Sequence, residues 1–165
     1  MDFNRFLQKI SAVVAAKFPT AFLYECKAFM YEGGNIDTAK SRVIYQYFDE
    51  LRGIAHTVEV TVSQYGLINI QDVPQAWAED RPMTPYVAVS LAEARNIASE
   101  SNSGTIVSDY VTLRHSLNKT IAEPAYYFTL DTGWLAVGAN TGSVRVIPKM
   151  QTTEEDYFLK DGLRL

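Results

Sequence analysis

Residues 60–70 read VTVSQYGLINI and residues 136–146 read AVGANTGSVRV, and a single offset lays Gly66 on Gly142. In each stretch a glycine-containing turn is flanked by apolar residues at strand spacing, the pattern of a tight antiparallel hairpin. Just before the first hairpin, His56–Ser63 sets Val58, Val60 and Val62 against Thr57, Glu59 and Thr61. That alternation predicts a strand with one buried face. Extending outward, β-branched and aromatic residues predict strands at 21–31, 42–50, 57–64 and 67–71, and again near 106–115, 125–131, 134–140 and 143–147. Turns fall at Gly33-Gly34-Asn35, Gln64-Tyr65-Gly66, Asp131-Thr132-Gly133 and Asn140-Thr141-Gly142. Tyr47-Phe48 lies near the position of Tyr127-Phe128 in the overlay.

A helix precedes each run of strands. Phe3, Phe6, Leu7, Ile10, Val13 and Val14 repeat on one helical face, with Asp2 as cap and Pro19 as stop. Ser90 and Glu93 make a capping-box pattern ahead of Ala94, Ile97 and Ala98, and Gly104 ends that helix. Between the two halves, Pro74, Pro82 and Pro85 surround Trp77, a composition that cannot continue a central strand. The predicted organisation is therefore a helix plus four-stranded antiparallel unit at 1–72, a Pro-rich linker at 73–89, a second such unit at 90–148 and an acidic tail at 149–165. The expected fold class is α+β: two helix-plus-antiparallel-sheet units arising by internal duplication.

The chain has 165 residues, 15 Lys plus Arg, 19 Asp plus Glu and 47% apolar residues, enough to bury a core without metal or disulfide. Its net charge of −4 is spread evenly: residues 1–82 carry 8 basic and 10 acidic side chains, and residues 83–165 carry 7 and 9. Basic residues occur singly, so no nucleic-acid partner is expected. No apolar run approaches the roughly 20 residues of a membrane span. The interrupted N-terminal stretch is not read as a signal peptide. With Cys26 as the single cysteine, the expectation is a soluble, cytoplasmic protein.

The second half carries a resemblance. LAEARNIA (91–98), the stretch Pro124-Ala125-Tyr126-Tyr127-Phe128 and LAVGANTGSV (135–144) are similar to PepSY and PepSY-like domains, which pair a short helix with an antiparallel sheet and end in a "V-D-A-x-T-G-E-V" hairpin. Gly138 and Ser143 depart from that hairpin, where the family usually carries acids. The resemblance implies a cystatin-like or PepSY-like tandem that binds or inhibits, and it carries over no catalytic residue. In the tail, Glu154-Glu155-Asp156-Tyr157 is similar to the segment that closes some bacterial immunity proteins.

Catalytic patterns are hard to find. His56 and His115 have no metal-ligand spacing to each other or to Cys26, no G-x-S-x-G occurs, and Gly33-Gly34 lacks the frame of a phosphate loop. Cys26, within a predicted strand, reads as an inert buried thiol. His115 shares a face with Val111 and Leu113 and is expected to point inward, whereas His56 opens a strand and is expected to be exposed. No cofactor or metal is expected. Ten tyrosines, eight phenylalanines and two tryptophans are more telling. Tyr45 and Tyr47 share a strand face with Val43, opposite Ile44 and Phe48, and Tyr127 opposes Phe128. With Phe48 and Phe128 read as core, the tyrosine face is left either to join the halves or to meet a partner. Candidate binding residues are Tyr45, Tyr47, Tyr127, Tyr157 and Trp77, with Gly66, Asn140 and Gly142 shaping turns. The function expected is a non-catalytic protein- or peptide-binding module, with a bacterial immunity-type toxin inhibitor and a small-molecule enzyme as the other readings.

Overall fold

In the computed structural model, residues 1–31, 34–77 and 81–149 are described. Helix α1 (Phe3–Lys17) begins where Asp2 Oδ1 accepts the Arg5 N–H at 3.0 Å and ends two residues before Pro19. It buries Phe3, Phe6, Leu7, Ile10 and Val14. Four strands follow: β1 (Phe22–Met30), β2 (Ile36–Asp49), β3 (Ile54–Val62) and β4 (Ile68–Val73). Helix α2 (Leu91–Glu100) starts in a complete Ser90–Glu93 capping box. Strands β5 (Ile106–Arg114), β6 (Ala125–Leu130), β7 (Gly133–Gly138) and β8 (Val144–Pro148) complete the order. Gly66 and Gly142 occupy the β3–β4 and β7–β8 turns at φ +81° and +72°, a region only glycine enters without strain. Asn140 stays at negative φ.

The expectation of two helix-plus-sheet units, as a cystatin-like or PepSY-like tandem, is corrected by the strand order. All eight strands form one antiparallel sheet, β4-β3-β2-β1-β5-β6-β7-β8. The seam is β1 against β5, paired from Glu25↔Arg114 to Phe29↔Tyr110. Had the halves folded as separate units, each would have left its first strand as an unpaired edge; pairing them removes both edges at once. The side chains at the seam follow suit, since Cys26, Ala28, Val111 and Leu113 are fully buried.

The sheet dominates, and it has one main core. Residues of α1, α2, β2, β3, β6 and β7 join a single apolar cluster that includes Leu7, Leu91, Tyr45, Val60, Phe128 and Leu135. Both helices therefore pack on the same face. The opposite face carries a smaller cluster, Ala125, Tyr127, Ala136 and Ile147 with Trp134 against it. The segment after β4 is tied to the sheet: the Met83 N–H donates to Leu23 O and the Val89 N–H to Ala139 O, each at 2.8 Å. Arg81 donates to the carbonyls of Ser116 and Ile121.

Candidate functional site

The predicted tyrosine face does not exist as a unit. On β2, Val43, Tyr45 and Tyr47 point toward α1, because β3 presents Val58 and Val60 to the same side and the helix covers both. Tyr45 is 3% exposed, and its hydroxyl lies 2.6 Å from Ser11 Oγ. Tyr47 is sandwiched between the rings of Phe18 and His56, with centroids at 5.4 and 4.8 Å, and donates to Asp72 Oδ2 at 2.7 Å. Partial burial, then the Asp72 hydrogen bond and charge, push the Tyr47 pKa up to about 12. Tyr127 is buried on the other face and accepts a hydrogen bond from Arg145 at 3.1 Å. Tyr157 and the acidic tail lie outside the described residues. Trp77 is half-buried, and its backbone N–H donates to Gln46 Oε1 at 2.8 Å.

His56, expected to be exposed, is 6% exposed. Its Nδ1 lies 2.8 Å from Asp72 Oδ1, while Nε2 has no hydrogen-bond partner and sits 3.7 Å from Asp49 Oδ2. The ring is thus closed in by Tyr47, Asp72 and Asp49. His115 is buried at the end of β5. Its pKa is lowered by burial and by the neighbouring Arg81 and Arg114 charges, against a hydrogen bond to the Pro82 backbone. The Cys26 thiol is pushed up by burial and by the charge of Glu25, so it stays protonated. Among the described residues, no group of three or more His, Cys, Asp and Glu is placed to hold a metal ion. No described helix is long and apolar enough to cross a membrane.

Glu123 explains the Asn-Thr-Gly turn. Its carboxylate accepts the backbone N–H groups of Asn140 at 2.9 Å and Thr141 at 3.0 Å, and the hydroxyls of Thr141 and Ser143. Burial alone would raise the Glu123 pKa; the hydrogen bonds outweigh it and hold the group below the usual glutamate value. The residues around Gly142 therefore serve a clamped turn.

The exposed aromatic surface lies elsewhere, on the face turned away from the helices. Phe22 on β1 is 61% exposed and Phe48 on β2 is 58% exposed. Phe22 pairs with Gln46 in the ladder, which puts Phe48 diagonally across from it. With Tyr24, Gln46, Glu50 and Ala55 they surround a cavity of about 560 Å³. Leu51, at the adjoining β2–β3 turn, is 99% exposed. Sequence reading assigned Phe48 to the core by its apolarity. Alternation places Phe48 opposite Val43, as expected; the face that α1 covers is the Val43 and Tyr45 face, which leaves Phe48 outside.

No family model matches this chain, and no curated protein matches it. Among solved structures it is similar to a crystal structure described as a "putative lipoprotein" from Clostridium difficile 630. That likeness has a TM-score of 0.55 at 11% identity and covers 84% of this chain and 89% of the other. At that identity the likeness is one of fold alone.

Proposed function

We propose that this chain is a non-catalytic binding module that captures a protein or peptide segment on the sheet face turned away from α1 and α2. The observation that carries the reading is the pair Phe22 and Phe48, both more than half exposed and diagonal on neighbouring strands beside a cavity. Large apolar side chains grouped at a surface mark interaction sites more often than isolated ones do. Here the strands fix the backbone that carries both rings, and each ring has only two side-chain torsions to order on binding. The Tyr24, Gln46 and Glu50 side chains give the cavity a polar rim. This combination suits a segment with one apolar or aromatic anchor flanked by hydrogen-bonding groups.

The test is a selection of random displayed peptides on the intact protein, followed by affinity measurement on Phe22→Ser and Phe48→Ser. Selected peptides should carry an aromatic or large aliphatic anchor and lose about tenfold or more in affinity on either variant, with melting temperature nearly unchanged. Peptides that bind both variants as tightly as the parent protein would refute the reading.

A further inference from the structure

A second cavity, of about 480 Å³, lies on the helical face between the C-terminal half of α1, the start of β1 and the linker at Pro82–Pro85. The linker wall is fixed, because Met83 is buried and its N–H is bonded to Leu23 O. Val14, Ala15, Leu23, Pro82 and Met83 make the walls, and among the described residues no acidic, basic or histidine side chain lines the space. Ser11 and Tyr45 also line it, with their hydroxyls 2.6 Å apart. That pair holds two hydroxyl protons, and the bond between the two oxygens uses one. The other proton, together with the remaining lone pairs, is available to a bound oxygen.

The two features together select a ligand class. A carboxylate or ammonium seated against the Ser11–Tyr45 hydroxyls would give up part of its hydration with no opposite charge among the described lining residues to offset it. A pure hydrocarbon would leave the spare hydroxyl proton without an acceptor. We propose that this cavity binds an uncharged amphiphile, an apolar body with one hydroxyl or carbonyl oxygen that hydrogen-bonds the Ser11–Tyr45 pair. The volume is about three times the roughly 150 Å³ that accepts one benzene, so a body of about ten carbons fits. Phe22 borders both this cavity and the Phe48 surface, whereas Ser11, Tyr45 and Met83 line this cavity and not the other, so a Phe48 substitution distinguishes the two sites.

The experiment titrates the full chain with 1-decanol while following the Met83 and Ala15 methyl resonances by NMR. Saturable shifts at both methyls are expected, with decanoate binding at least tenfold more weakly. Tyr45→Phe should weaken 1-decanol about three- to tenfold. Ala15 is exposed at the mouth, so Ala15→Trp should block binding without unfolding the protein. Phe48→Ser should leave binding unchanged. Absence of saturable shifts, equal affinity for decanoate, full binding by Ala15→Trp, or loss of binding in Phe48→Ser would each overturn the proposal.

Discussion

Nδ1 of His56 lies 2.8 Å from Oδ1 of Asp72, and the second oxygen of that carboxylate accepts the Tyr47 hydroxyl at 2.7 Å. One edge-strand carboxylate thus ties β4 to side chains on both β3 and β2. Replacing Asp72 by Ala strands the buried His56 nitrogen and the Tyr47 hydroxyl together, and should cost about 1–3 kcal/mol. Asp72→Asn, which keeps one acceptor, should cost less. Urea denaturation of the two variants measures both; an Asp72→Ala loss below about 0.5 kcal/mol would show that the contacts contribute little.

A continuous sheet over a shared core should unfold as one unit. Far-ultraviolet circular dichroism and tryptophan fluorescence, the latter reporting Trp77 and Trp134 from the two halves, are expected to give coincident urea transitions. Two separated transitions would mean that the β1–β5 seam does not couple the halves.

Glu123 links stability to acid pH through the turn it clamps. Its folded pKa is depressed below the ordinary value of 4.5. Its contribution is therefore complete above that value and is lost as pH falls through the lower folded value. Glu123→Gln should destabilise the protein by about 1–2 kcal/mol at neutral pH and flatten the loss of stability below pH 4.5. Thermal melts of both proteins between neutral pH and strong acid check the two expectations.

His115 acts higher on the pH scale. Its pKa is lowered from 6.5 in the folded chain, so as pH falls below 6.5 the unfolded chain takes up a proton that the folded one resists. Folding stability should decline through that interval, and His115→Gln should decline less. Equal slopes for the two proteins would place the acid sensitivity elsewhere.

What the sequence discloses here is what short-range chemistry determines. Asp2, the Ser90–Glu93 box and the turn glycines were legible because each acts on a backbone within four residues of itself. The seam was not. Cys26 meets Leu113 across the sheet, and alternation along a strand gives its faces without naming the strand beside it. The environment of His56 was hidden for the same reason, since Asp72 reaches it only once β3 and β4 pair. Phe48 failed differently: alternation along β2 sets it opposite Val43, but apolar character does not say which face the helix covers, and the covered face of β2 is the one that bears the tyrosines.

The central claim is that the Phe22–Phe48 surface is where a partner is held. It is tested most directly by titrating the isotopically labelled protein with a selected peptide and mapping the amide shifts. The account predicts that the largest shifts cluster at Phe22, Tyr24, Gln46, Phe48 and Ala55, and that Phe48→Ser abolishes them while the rest of the spectrum stays folded. Shifts centred on the helices, or on β7 and β8, with the Phe48 region unmoved, would contradict it.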